Sequence, residues 1–359
     1  MIFIADLACT YNVPVKIRIK KLAIAAVADD ISLAFVFLNG SARAVLHRPY
    51  FVYGIINLMA LSLLILAAGM GSRYERLKQM DPVGPNNEVI MEYSVYDALQ
   101  HGFDEVVFVL RREFEEVFRR KVLRRLSGHI RAGFVLQDLN DLPPGFSAPN
   151  DRSKPWGTGH AVWCARHVLK KSFVAINADD FYGEDAFRNA ALFFSQSGLK
   201  HTAFMMSGFQ LANTLSDHGP VSRAICAVNW LGMLQAVEEH LSIENRPDGI
   251  VSLTEDVVVK RFKGTEAVSL NFWGLTPCLF PLLEESFCSF LSRNLNATEE
   301  EFYISRAISE MLFHSKITVS VLPTSSRWYG VTYKEDKFPM VRAITDFVQS
   351  GSYPAALWK

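Results

Sequence analysis

The sequence predicts an α/β fold built on a mixed, mostly parallel sheet flanked by helices, and three observations carry that expectation. From Met59 onward, short apolar runs alternate with helix-patterned segments, as in a parallel sheet with crossover helices. The run Leu63-Leu64-Ile65-Leu66-Ala67-Ala68 passes straight into a small-residue loop, Gly69-Met70-Gly71-Ser72-Arg73, with Lys78 a few residues on. A second apolar run, Val174-Ala175-Ile176, leads into Asn177-Ala178-Asp179-Asp180, which places two carboxylates at the strand edge where α/β sheets bind ligands.

Taken in order, the pattern predicts a strand over 61–67 and a helix over 93–101 closed by Gly102, whose missing side chain suits a helix C-terminus. A strand over 105–110, an amphipathic helix over 113–126 and a strand over 131–137 follow, then a polar loop over 138–155 rich in Pro, Asp and Asn. Next come a helix over 158–168, a strand over 172–178, a helix over 185–196 and a strand over 202–209. Beyond Leu211 the pattern changes. Apolar segments at 222–228 and 233–238 flank Asn229-Trp230-Leu231-Gly232, a hairpin signal. The stretch 250–262 is more polar, 268–275 reads as one strand, 281–295 and 300–314 as helices, 317–322 as a strand and 334–348 as a final helix.

Composition narrows the function classes. The 359 residues carry 37 basic and 37 acidic side chains, so the net charge of zero supports neither a broad nucleic-acid surface nor an anionic-membrane surface. In the basic helix, Glu115 and Glu116 precede Arg119 and Arg120 by four residues, which predicts paired charges on an exposed face. Five scattered cysteines, without a Cys-x-x-Cys, argue against a structural zinc site and fit a reducing, cytoplasmic setting. Residues 51–68 are apolar enough to suggest a membrane span, but their second half is the strand that feeds the loop, so that reading is rejected. Residues 1–58 show no clear period and no signal-peptide layout. They are expected to be a poorly ordered or non-native extension, with the working chain starting at Met59. Within 59–359 the expectation is one domain, with a nucleotide-binding part over 59–210 and an acceptor-binding part over 211–359.

A glycine-rich loop after a strand suits a polyphosphate. Glycine lets the backbone approach the anion, and the cations neutralise it. Tyr74 stands where a dinucleotide fingerprint needs its third glycine, and no Gly-Lys-Ser/Thr is present for a Walker loop. The remaining order, Leu-Ala-Ala-Gly-x-Gly-Ser-Arg…Lys, resembles the signature of the sugar-1-phosphate nucleotidyltransferases, the nucleotide-sugar pyrophosphorylases, and the resemblance covers most of the chain after Met59. It implies a Rossmann-like nucleotidyltransferase fold. It also implies that the backbone of Ala67, Ala68, Gly69, Gly71 and Ser72 cradles an NTP, that Arg73 holds the departing pyrophosphate, and that Lys78 binds the α-phosphate.

Two further motifs stand in family order. Pro155-Trp156-Gly157-Thr158-Gly159-His160-Ala161 resembles a Pro-x-Gly-Thr-x-x-Ala element, which implies base contact by Gly157 and Thr158, and Gln137 matches a base-reading glutamine. Thr158 could equally cap the helix it opens. Asp179 matches the metal-binding aspartate of a Gly-Asp-Asn element, so the resemblance implies Mg²⁺ there, with Asp180 assisting or capping the next helix. On the acceptor side it implies Gly219 and Glu238, with Asn271 completing the sugar or metal pocket. Arg327-Trp328-Tyr329-Gly330-Val331-Thr332-Tyr333-Lys334-Glu335-Asp336 resembles a late Trp-x-Asp-x-Gly-Thr-x-Glu-Asp element, but Gly330 stands where the family often has a metal-binding aspartate. The second ligand then falls to Asn271, to Asp180, or to the phosphates.

The expected reaction joins an NTP and a sugar 1-phosphate into an NDP-sugar and pyrophosphate, with Mg²⁺ and with no nucleic-acid or membrane partner; a homo-oligomer is left open. The alternatives are transfer to a non-sugar phosphate such as phosphocholine or an alditol phosphate, and a nucleotide-sugar-binding regulator without catalysis.

Overall fold

The computed structural model describes residues 60–69, 80–196, 198–216, 218–255, 257–294, 296–330 and 335–358, together with the backbone of three strands nearer the N-terminus. By contacts the chain divides into two units, Met1–Leu58 and Met59–Lys359. In the first unit, β1 (Ile24–Ala28), β2 (Ile31–Leu38) and β3 (Ser41–Leu46) form an antiparallel meander. Nothing in the period of this stretch announces strands, because its few polar residues do not alternate regularly with the apolar ones. The local signal is the dipeptide Asn39-Gly40 between β2 and β3, a two-residue hairpin sequence.

The second unit is organised by a 12-stranded mixed sheet. Its parallel part consists of β4 (Leu61–Leu66), β5 (Phe103–Leu110), β6 (Arg131–Leu136) and β7 (Phe173–Asn177), in the spatial order β6-β5-β4-β7. β4 is almost wholly buried between β5 and β7. The second half of the apolar run that could have suggested a membrane span is therefore a central strand, and among the described residues no helix is long and apolar enough to cross a membrane. β8 (Asp180–Phe181) pairs with β17 (Tyr329–Gly330) in a separate two-stranded ribbon.

Beyond β7 the sheet turns antiparallel. β9 (Ala203–Gln210) runs parallel to β16 (Thr318–Pro323) on one edge. Along its other edge lie β14 (Ala267–Ser269) and β15 (Trp273–Leu275), two pieces of one interrupted strand. The expectation of a single strand over 268–275 is corrected here. β15 has β7 as its other neighbour, whereas β14 has β10 (Val221–Val228), and the break at 270–272 accommodates the change, with Asn271 at φ 60°. β10 continues through the expected Asn229–Gly232 turn into β11 (Leu234–Arg246). The polar stretch 250–262 is a hairpin of β12 (Gly249–Thr254) and β13 (Val257–Phe262).

Helices cover both faces. On one side α3 (Thr158–Cys164), α5 (Leu279–Asn294) and α6 (Ile304–Phe313) close over Trp156, Trp163, Trp273, Phe287 and Phe302. On the other lie α1 (Ile90–Gln100), α4 (Glu184–Phe194) and α7 (Lys337–Gln349), around Tyr93, Phe181, Phe187, Met340 and Ile344. α2 is a helical stretch through Arg112–Phe114, Glu115–Phe118, Arg119–Leu123 and Arg124–Leu126, with a π turn at Arg119–Leu123. Arg119 pairs with Glu115 as its spacing predicts, at 3.0 Å, but Arg125 leaves the exposed face to reach the buried Glu92 of α1 at 3.1 Å.

Candidate active site at the carboxyl edge of the sheet

The chain leaves β4, moves outward through β5 to β6, and returns to the opposite side of β4 as β7. The carboxyl ends of β4 and β7 therefore diverge into loops on opposite sides, a topological switch point, where open α/β sheets hold ligands. The Ala178 N–H donates to the Leu66 carbonyl across this point at 3.2 Å. Ala67 and Ala68 are 2% exposed, so only their backbone can face a ligand, while Gly69 stands exposed. Gly71, Ser72, Arg73 and Lys78 lie outside the described residues.

On the β6 side the structure brings Gln137 and Gly157 together across the 138–156 loop. Gln137 Nε2 donates to the Gly157 carbonyl at 2.9 Å and lies 3.2 Å from His160 Nδ1. His160 Nε2 lies 2.8 Å from the Asp141 carbonyl, so the tautomer with its proton on Nε2 satisfies both contacts. Burial pushes this imidazole down to about 4, keeping it neutral. His160, to which the sequence assigns no role, thus orients the Gln137 amide, with its nitrogen turned inward.

Gly157 takes φ 98°, and a Cβ there would sit 2.7 Å from the Phe302 carbonyl oxygen. Thr158 does not cap its own helix, whose N-cap is Gly157. Its hydroxyl accepts the N–H of Ile304, the first residue of α6, at 3.1 Å, and so caps a helix 146 residues away. The Gly-Thr turn is fastened to α6 on one side and holds Gln137 on the other.

On the β7 side the carboxylates separate. Asp179 is half-buried at the strand end, whereas Asp180 is buried and its Oδ2 accepts a hydrogen bond from Asn177 Nδ2 at 2.9 Å. Asn177 Oδ1 in turn accepts from Asn271 Nδ2 at 3.3 Å. Asn271 therefore joins the carboxylate edge, although it lies 94 residues away in sequence. Among the described residues no three His, Cys, Asp or Glu side chains gather closely enough to hold a metal ion. The oxygen donors present suit a hard cation that keeps most of its waters and takes its remaining ligands from phosphate.

The segment from Thr214 to Arg223 closes the far side. Gly219 takes φ 148° and bridges to Ser216, whose hydroxyl donates to Asp336 at 3.0 Å. Arg223 is buried, donates from Nε to the Thr214 carbonyl at 3.0 Å and from Nη1 to the Ser222 carbonyl at 2.7 Å, and lies 4.7 Å from the Trp328 ring centroid. Burial lowers its guanidinium to about 10, while the charges of Asp180 and Asp336 act in the opposite direction. Local sequence pattern does not mark Arg223, because the groups that surround it come from elsewhere in the fold.

Gly330 pairs across the ribbon with Asp180. A Cβ at 330 would meet the Trp328 ring and lie 2.8 Å from Asp180 Oδ1, so Asp180 and Trp328 occupy the space a residue-330 side chain would need. Glu238 is exposed and its carboxylate is engaged by Lys260 at 2.5 Å and His240 at 3.2 Å.

The nucleotidyl transferase family model matches residues 62–213, from β4 to the start of the Thr214–Arg223 segment. That segment of the chain is similar to the nucleotidyl transferases. Solved structures of similar fold include the inositol-1-phosphate CTP transferase from T. maritima, 12% identical, with a TM-score of 0.53 over 79% of this chain and 96% of that one. A UDP-glucose pyrophosphorylase solved with UDP-glucose is 15% identical, with a TM-score of 0.51 over 80% of this chain and 99% of that one. No curated protein sequence matches significantly. The chain thus has the fold of the nucleotidyltransferases, with its switch point inside the matched segment.

Proposed function

We propose that this protein transfers the nucleotidyl group of an NTP to a sugar 1-phosphate, forming an NDP-sugar and releasing pyrophosphate. The observation that carries this reading is the order of residues across the sheet edge. Gln137 and Gly157 stand at the end of β6, the glycine loop at β4, Asp179 at β7, and Asn271 with the Thr214–Arg223 segment beyond. Adjacent strands are spaced by about 4.8 Å, so β6 and β7 are about 14 Å apart, a span suited to a nucleotide lying from base to α-phosphate. The acceptor then enters from the fork between β7 and β10, opposite the leaving pyrophosphate.

In this reading an oxygen of the acceptor phosphate attacks the α-phosphorus as the bond to the β-phosphate oxygen breaks, and the electron pair leaves with pyrophosphate. Gln137 and the Gly157 turn hold the base, and the backbone at Ala67–Gly69 receives the phosphates. Arg73 and Lys78 supply the positive charge for the leaving group and the α-phosphate. Mg²⁺, held by Asp179 and phosphate oxygens, would supply charge neutralisation there. Asp180, turned inward onto Asn177, orients the edge. The phosphocholine alternative calls for open aromatic faces around a cation. The Trp328 ring, beside the fork, already carries Arg223 over its face, which favours a hydroxylated acceptor.

The test is pyrophosphate release from a panel of NTPs with sugar 1-phosphates, alditol phosphates and phosphocholine. Release with a sugar 1-phosphate, lost on Asp179→Ala, is expected. Nucleotide-sugar binding by calorimetry with no release from any pair would establish the regulator instead.

A further inference from the structure

The interrupted strand leaves an unusual problem at its break, and one residue solves it. β15 pairs with β7 and β14 pairs with β10, so the backbone at Leu270–Phe272 passes from one neighbour to the other. The Leu270 carbonyl lies 2.8 Å from the Tyr182 hydroxyl, which donates to it. The same hydroxyl oxygen accepts the backbone N–H of Asn177, the last residue of β7, at 3.1 Å, and lies 3.2 Å from Asp180 Oδ2. Tyr182 is fully buried, with Phe272 and Phe209 at ring-centroid distances of 5.3 and 6.1 Å.

The consequence falls on Asn271. Its left-handed backbone aims Nδ2 at Asn177 Oδ1, and Asn177 passes the direction on to Asp180. In this chain of amides every donor points toward the carboxylate, and Asn271 Oδ1 is the end that can meet an incoming hydroxyl. We propose that Tyr182 is a positioning residue. By fastening the kink at Leu270 to the end of β7, it sets Asn271 as the hydrogen-bonding wall for the phosphorylated acceptor, and thereby governs affinity for that acceptor and not for the NTP. The proposal rests on the acceptor entering from the fork, as argued above.

The test compares Tyr182→Phe, Asn271→Ala and the double variant, with glucose 1-phosphate and UTP as probes in the presence of Mg²⁺. Phenylalanine keeps the ring and removes one hydroxyl. Tyr182→Phe should raise the KM for glucose 1-phosphate about tenfold, the scale of one well-made hydrogen bond, while the KM for UTP stays within about twofold. The double variant should be no worse than Asn271→Ala alone, because both act on the same contact. Equal changes in both KM values, additive effects, or a fall in melting temperature with both KM values unchanged would overturn the proposal. If Tyr182→Phe fails to fold, an unchanged acceptor KM in Asn271→Ala overturns it equally. A wild-type chain that releases no pyrophosphate, yet binds glucose 1-phosphate more tightly than Tyr182→Phe, would sink the transfer reading and keep this one.

Discussion

The two ends of the site are built on opposite principles. At the β6 end, Gln137, Gly157, Thr158 and His160 are held by neutral hydrogen bonds to backbone carbonyls and amides, and the turn is fixed by close packing against Phe302. At the fork, Asp179, Asp180, Arg223 and Asp336 bring charge, and Tyr182 and two asparagines tie Asp180 to the broken strand. The contrast matches what each end would receive: a flat, neutral base recognised by shape and a few dipoles, against phosphates and a cation that need charge in a protected setting.

The largest expected effect lies at the charged end. Asp179→Ala should lower the rate of pyrophosphate release by about a thousandfold or more, with the fold intact by circular dichroism, because charge stabilisation at the reacting phosphate is lost. An effect under about tenfold would remove Asp179 from the chemistry. The neutral end should fail by unfolding instead. Gly157→Ala forces a side chain into a left-handed backbone and against Phe302, at a cost of about 2–4 kcal/mol read from chemical denaturation. Gly69→Ala, whose Cβ meets nothing within 4 Å, should stay within about 0.5 kcal/mol.

A third prediction tests the support behind both ends, on the α1 face. Burial pushes the Glu92 carboxyl up to about 7, against the opposing pull of the Val89 N–H, Arg125 and Trp358. The folded chain therefore holds this proton more tightly than the unfolded chain, so the contribution is fully present below about 4.5 and is lost as pH rises through about 7. Between pH 6.5 and 8 the wild type should lose about 1 kcal/mol from this group, and Glu92→Gln should flatten the slope. His160 has the opposite sign. Its folded value is depressed, so its contribution is present above about 6.5 and is lost toward pH 4. The smallest effect is expected at Glu238. Its exposed carboxylate is screened and paired with Lys260, so Glu238→Gln should change the acceptor KM less than about twofold. A larger change would return it to the acceptor wall.

The parallel half was legible because each strand there announces itself. The runs at 61–67, 131–137 and 172–178 end at the residues that now line the switch point, and the periods of 2 and 3.6 mark the elements between them. The antiparallel half was less so. Residues 268–275 read as one continuous, mostly apolar run, and period carries no trace of a strand that changes neighbours. The hairpin at 249–262 was hidden because exposed Lys260 and Arg261 on an edge strand make the stretch read only as more polar. At the site, single residues were found by type and position, but their partners were not. Thr158 reads as a cap for its own helix because Ile304 is invisible at a distance of 146 residues, and Arg125 reads as surface charge because Glu92 belongs to another helix. Local pattern fixes where a side chain starts; tertiary packing decides what it meets.

The Gly330 contact constrains the order in which this site can change. A carboxylate at 330 would need the space held by Trp328 and Asp180, so Gly330→Asp introduced alone should damage the ribbon and not add a ligand. The Trp328 ring would have to shrink first, which would uncover Arg223, whose charge faces Asp180 and Asp336. Three positions are thereby locked into one epistatic set, and a lineage that has reached this arrangement can leave it only through concerted replacement.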